Sequence, residues 1–317
     1  MDTVTGTRLR WESTPAHVRA GVEALLKGRV VEAVSQPGGF SPGVAARLLL
    51  DDGRRAFAKS VGPELNPDSP GIHRAEARIA AALPASAPVP RLLGSLDHDG
   101  WVTLVFEDVD GRHPREPWSD ADLSRVLAAL GELASAMTPS PVDAPTLAER
   151  FGDAFRGWRV LSASADPGRD LANLDPWART NLARLAALES EWEDAAAGTT
   201  LAHADIRADN VLLTADRVVV VDWPWACLAA PWFDLLAMLP SVRMQGGPPS
   251  DDVFTAHPLG RDADAEAVTR VVAALAGFFV EQGLRPPPPG LPTLREFQRA
   301  QGVEALAWLR RRLERLS

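Results

Sequence analysis

The segment His203-Ala204-Asp205-Ile206-Arg207-Ala208-Asp209-Asn210 is followed by Val211-Leu212-Leu213, a turn, and the apolar strand Val218 to Val221, which ends in Asp222-Trp223. Asp205, Asn210 and Asp222, two carboxylates and an amide, thus fall at the ends of short β-rich runs. These residue types suit phosphoryl transfer from a nucleotide, in which one carboxylate faces the acceptor hydroxyl while oxygen ligands hold magnesium against the phosphates. Taken alone, Asp and Asn read equally well as loop-capping residues, and Asp209 reads as a capping or solvated carboxylate. Arg207 either neutralises charge on a transferred phosphate or forms a structural salt bridge.

Such groups need elements to present them. The island Thr199 to Asp222 lies in a half of the chain that otherwise reads as helical: Ser119 caps a stretch with Leu123, Val126, Leu130 and Leu133 on one face, and Asp175-Pro176 opens a helix carrying Leu182, Leu185 and Leu188. Asp262 to Gln282 and Thr293 to Leu316 give two more helices, the second closing on Arg310-Arg311-Arg312, which reads as a solvated helix end. The N-terminal hundred residues alternate strands with turns. Arg29 to Gln36, Val44 to Leu50 and Arg54 to Val61 form an antiparallel meander, with Gly38-Gly39 in its first loop and Asp51-Asp52-Gly53 in its second. A helix of about fourteen residues opens at Ser69-Pro70 and carries Glu76, and the hairpin Arg91 to Leu96 with Trp101 to Phe106 completes five strands. Phosphate binding asks for a glycine-rich loop, a strand lysine and a helical glutamate to orient it. Lys59 is one of two lysines beside 31 arginines, and a guanidinium does not replace a compact ammonium there.

Composition narrows the classes. At 317 residues the chain has room for about two domains. With 46% apolar and 24% charged residues it is neither disordered nor fibrous. A net charge of -9 argues against a general nucleic-acid binder and modestly favours a cationic small substrate. The single cysteine, Cys227, permits no intrachain disulfide and no cysteine zinc site, and the histidines show no metal-ligand spacing. Met1 to Glu12 lacks a signal-peptide pattern, so a cytoplasmic protein is expected. The longest apolar run, Val271 to Val280, is too short to cross a bilayer and reads as a buried helix, so no membrane partner is expected.

The order of these motifs resembles the protein-kinase-like superfamily: His-x-Asp, then Asn five positions past the Asp, then a hairpin ending in Asp, with Phe57-Ala58-Lys59 similar to the Val-Ala-Ile-Lys strand. Within it the chain looks like the aminoglycoside phosphotransferase family, through the His203 loop, Asp222-Trp223 and Phe233-Asp234-Leu235. Ala204 stands where that family has glycine, and Pro224-Trp225 where it often has glycine or an acid.

The resemblance implies an α+β, bilobal protein-kinase-like fold. Residues 1–108 would form an N-lobe, a small antiparallel β-sheet with one helix, and residues 109–317 a mainly α-helical C-lobe with ATP in the cleft. Asp205 would be the catalytic base, and Asn210 and Asp222 would bind magnesium; Arg207 is a catalytic candidate on its own charge and place, with the structural salt bridge left open. Gly38, Gly39, Ser41, Lys59, Glu76, Glu107 and Val109 would serve the nucleotide, and His203 and Asp234 would brace the loop. The activity implied is ATP-dependent phosphorylation of a hydroxyl on a small molecule, an antibiotic, amino sugar or related metabolite. Only eleven residues separate Asp222 from Asp234, too few for the activation segment of a kinase acting on proteins. A nucleotide-binding pseudokinase scaffold is the alternative; such proteins usually lose the Lys, Asp or Asn that this chain keeps. Acids within Asp251 to Asp264, or Asp108 and Asp110, are candidates to receive an amine. Trp223, Trp225, Trp232 and Phe233 read as core, with one of them a candidate wall for the acceptor.

Overall fold

The computed structural model describes residues 8–36, 43–163, 173–288 and 292–315. In chain order its helices and strands are α1 (Ala16–Leu26), β1 (Val30–Ser35), β2 (Val44–Leu50), β3 (Arg55–Val61), α2 (Ser69–Ala82), β4 (Leu92–His98) and β5 (Trp101–Glu107). Then come α3 (Asp120–Ala136), α4 (Leu147–Phe151), α5 (Gly157–Ala163), α6 (Pro176–Thr180), α7 (Leu182–Glu189), α8 (Trp192–Ala195), β6 (Thr200–Ala202), β7 (Val211–Leu213), β8 (Val218–Val220) and β9 (Cys227–Ala229). The chain closes with α9 (Phe233–Met244), α10 (Ser250–Ala256), α11 (Pro258–Arg261), α12 (Ala265–Gly283) and α13 (Leu294–Arg315). These form two compact units: the described residues up to His113 with Asp209–Trp225, and Pro114–Ala208 with the described residues from Ala226 onward.

The first unit is built on a five-stranded antiparallel sheet in the order β1-β2-β3-β5-β4. Side chains alternate across it, so Ala56 and Ala58 join Val22 and Leu26 of α1 on one face. Phe57 faces the other way, packing with Val102, Leu104 and Phe106 against Ala77 and Ala80 of α2. Lys59 shares the parity of Phe57, which directs it to the α2 side. Gly43 enters β2 where a Cβ would lie 2.3 Å from the Ser60 carbonyl oxygen, so only glycine permits that approach.

Two features differ from expectation. The first unit has a second helix, α1, which carries no sequence signal: Pro15 caps it without a side-chain bond, and it ends on Lys27, not glycine, in the left-handed region at φ 51°. The hairpin β7–β8, on the C-terminal side of a boundary drawn at residue 108, packs with the first unit. Arg112 and Leu213 exchange two backbone bonds of 3.1 and 2.7 Å, and Val220 N–H donates to the Pro88 carbonyl at 2.8 Å.

In the second unit α12 packs against α13, α5, α7 and α8. Most of the Val271 to Val280 run is buried in it, and among the described residues no helix is long and apolar enough to cross a membrane. A Cβ on Gly157 would lie 2.0 Å from the Gly277 carbonyl oxygen, so α5 and α12 meet through their glycines. Ser119 and Asp175 cap α3 and α6 as their types predict. The helix expected to run on from Asp175 breaks at Asn181, whose amide donates back to the Trp177 carbonyl at 2.9 Å and competes with the helix ladder. Short strands β6 and β9 pair and hold the base of the His203 loop.

Candidate active site

In the first unit the Lys59 ammonium, central in β3, donates to Glu76 Oε1 at 2.8 Å and to Asp222 Oδ1 at 2.6 Å. Glu76 is buried on α2 and also accepts the backbone N–H of Trp223, so it ties the lysine to the turn that carries Asp222. Burial pushes Lys59 down, but the Asp222 and Glu76 charges more than offset it and hold the ammonium above its ordinary range. Burial raises Glu76, and Lys59 opposes that rise. One helical turn earlier, burial and then the Lys59 charge bring His73 down to about 4, so it is neutral at pH 7. With its Nδ1 at 3.2 Å from the Ser69 carbonyl, a neutral ring donates there.

The hairpin β7–β8 sets Asn210 beside Asp222. Val211 pairs with Val220, and Val221 N–H donates to the Asn210 carbonyl at 3.0 Å, one residue before Asp222. Asn210 is buried, whereas the Asp222 side chain is 44% exposed and sits on backbone at φ 72°. Next to Pro224 the turn is held by Trp223, whose backbone N–H donates to Glu76 and whose indole donates to the Val220 carbonyl at 3.0 Å. An amide oxygen and a carboxylate are hard donors of the kind magnesium takes together with phosphate oxygens. Among the described residues no group of three or more His, Cys, Asp and Glu side chains is placed to hold a metal ion.

In the second unit Asp234, at the start of α9, accepts the backbone N–H groups of His203 and Ala204, both at 2.8 Å. His203 is fully buried, and its Nδ1 accepts the Asp205 N–H at 3.1 Å. Burial lifts the Asp234 carboxyl to about 6 against the pull of its two N–H donors. Ala204, in place of glycine, adopts φ 65°. Ile206 is buried between Asp205 and Arg207, whose side chains are 30% and 17% exposed and form an ion pair. Over the guanidinium, 5.8 Å from Cζ to ring centroid, stands Phe297 of α13.

Lys59, Glu76, Asn210 and Asp222 are thus gathered in one unit, and His203, Asp205, Arg207 and Asp234 in the other. Gly38, Gly39 and Ser41 lie outside the described residues. The Glu107 carboxylate is taken by Arg217 at 3.1 Å and by the Arg91 N–H at 3.2 Å, and the Val109 carbonyl by Gly111 N–H at 3.0 Å. Two expectations need correction. Asp251 and Asp108 do not stand ready for an amine: Asp251 is buried against Trp308 and Arg312, each at 2.9 Å, and Arg315, while Arg47 and Arg55 hold Asp108 at 2.7 and 3.3 Å. Nor is Arg312 a solvated helix end, with a side chain only 10% exposed in that pair. Trp223, Trp232 and Phe233 are buried as core, and Trp225 is 38% exposed. Sequence reasoning missed two residues. Arg8 places its charge near Asp222 with no local motif to announce it, and Phe297 had only its aromatic type.

A family model described as "Phosphotransferase enzyme family" matches residues 37–275. Among solved structures the chain is similar to an aminoglycoside phosphotransferase, APH(4)-Ia, in ternary complex with ADP and hygromycin B, at 15% identity, 93% and 98% coverage of this chain and that one, and a TM-score of 0.58. It is also similar to an aminoglycoside phosphotransferase from Alicyclobacillus acidocaldarius (15% identity, 92% and 95% coverage, TM-score 0.59). A choline/ethanolamine kinase family protein from Mesorhizobium loti gives 17% identity, 94% coverage of both chains and a TM-score of 0.59. These likenesses establish the kinase-like α+β fold. No curated protein sequence matches the chain.

Proposed function

Because the chain belongs to the phosphotransferase enzyme family, and is in that sense a small-molecule kinase, we propose that it moves the γ-phosphoryl group of ATP to a hydroxyl of a small molecule. The observation that carries this reading is the Lys59 ammonium bonded at once to Glu76 and Asp222. A lysine oriented by a helical glutamate is the arrangement that holds nucleotide phosphates.

In the reaction Asp205 accepts the proton of the attacking hydroxyl. Arg207 meets charge on the transferred group, and Lys59 binds the α- and β-phosphates. Asn210 and Asp222 would hold magnesium, which when bound neutralises phosphate charge. Asp234 and His203 keep the Asp205 backbone in place. The net charge of -9 favours a cationic acceptor, and with Asp251 and Asp108 paired internally the exposed Asp110, Asp252, Asp262 and Asp264 remain as candidates to receive it. The lone cysteine, buried Cys227, suits a cytoplasmic enzyme. The scaffold alternative has no observation in its favour, since Lys59, Asp205, Asn210 and Asp222 are all present.

The test is magnesium-dependent ATP consumption against aminoglycosides, peptide antibiotics, amino sugars, choline and homoserine, with Asp205→Asn as control. Acceptor-stimulated turnover that the variant loses supports the reading. ATP binding without turnover, equal in both proteins, goes against it.

A further inference from the structure

Arg207 is held from two directions. Its Nη1 meets the Asp205 carboxylate, and its Cζ lies over the Phe297 ring, 5.8 Å from the centroid, within the range of a cation–π contact. The two contacts do not compete, because Nη1 serves Asp205 while the ring attracts the cation as a whole and takes no hydrogen bond from it. Phe297 comes from a firmly seated turn. It lies in the first turn of α13, its N–H donates to the Thr293 carbonyl at 3.0 Å, and Arg299, two positions on, donates to the Gly283 carbonyl at the end of α12 at 3.1 Å. Phe297 is itself only half-buried, so filling the core does not account for it.

We propose that Phe297 is a positioning residue for phosphoryl transfer: its ring confines the Arg207 guanidinium and thereby sets the place from which that arginine serves both Asp205 and the transferred group. This deepens the function proposed above and rests on it. A long side chain with fewer contacts retains more rotamers, and a loosely placed charge stabilises a transition state poorly. The expected effect falls on kcat, leaving the KM for ATP unchanged, because the phosphates are anchored by Lys59.

The experiment compares Phe297→Leu, which keeps apolar bulk and loses the ring face, with Phe297→Tyr, which keeps the face. Both are made in wild type and in Arg207→Gln, with magnesium–ATP turnover as the readout. Phe297→Leu is expected to lower kcat about three- to tenfold, the size of one cation–π contact. Phe297→Tyr should restore it to within about twofold, and Phe297→Leu should cost nothing further in Arg207→Gln. Equal losses in both backgrounds, no loss at all, or a tyrosine variant as slow as the leucine one would overturn the proposal. A second readout needs no turnover: the Arg207 Nε–H resonance should be ring-current shifted in wild type and return to its ordinary position in Phe297→Leu. A shifted resonance without any ATP consumption sinks the phosphotransferase reading, whereas an unshifted one beside normal turnover sinks the role given to Phe297.

Discussion

The Asp234 carboxylate grips the Ala204 backbone N–H at 2.8 Å while Ala204 holds φ 65°, a conformation that residues with a Cβ seldom adopt. Asp234 also accepts from His203, so one buried side chain fixes the two residues before Asp205. A left-handed alanine costs roughly 1–2 kcal/mol.

Ala204→Gly should therefore retain full activity and stabilise the protein by about 0.5–1 kcal/mol, once the greater freedom of unfolded glycine is subtracted. Ala204→Val should be worse than wild type on both counts. Urea midpoints together with kcat decide it, and a less stable glycine variant would show that the loop does not bear this strain.

Asp234→Asn keeps the shape but offers one oxygen where two backbone donors need acceptors, so stability should fall by about 1–3 kcal/mol, with a drop in kcat. The loss should depend on pH. Burial raises the folded carboxyl to about 6 from 3.8, so the folded protein binds the extra proton between those values. The penalty of the buried charge is then fully present above about pH 6 and is relieved as pH falls toward 3.8. Asparagine gains no such relief. The wild type's advantage over Asp234→Asn should thus be larger at pH 5 than at pH 7.5 in paired denaturation curves.

Lys59→Met leaves Glu76, with a side chain 3% exposed, and the more exposed Asp222 without their shared cation. Breaking a buried pair costs ~3–5 kcal/mol, and the lower end applies here because solvent screens Asp222. The rise in melting temperature expected on adding ATP to the wild type should be absent in the variant as well. Lys59→Arg should recover much of the stability and little of the activity, since a planar fork cannot meet both carboxylates as an ammonium does. Equal turnover by the arginine variant would argue against a phosphate-binding lysine.

Asp251→Ala should act on folding alone. It strips the acceptor from Trp308, Arg312 and Arg315, a loss of about 3 kcal/mol or more for a buried charge pair. The melting temperature should fall, and the KM for any cationic acceptor measured below that temperature should not rise. A raised KM at unchanged stability would return Asp251 to the acceptor site.

What was legible in the chain was local. The Asp51-Asp52-Gly53 turn, the Ser119 and Asp175 caps and the strand alternation around Lys59 each depend on groups a few residues apart, so residue type alone predicts them. Where local chemistry is silent, so was the sequence: α1 has no capping side chain, and the break at Asn181 turns on one amide bonding its own helix.

Side-chain assignments with distant partners were another matter. Asp251 meets arginines more than sixty positions away, Glu107 meets Arg217, and Arg207 lies under an aromatic ring ninety positions on. An exposed carboxylate and one neutralised in the interior are the same residue in a sequence. Burial and charge pairing are properties of the packed chain, because the energy of a charge depends on what surrounds it. The residue types and spacing therefore determined the class of chemistry, and tertiary packing alone decided which of its charges remain to carry it out.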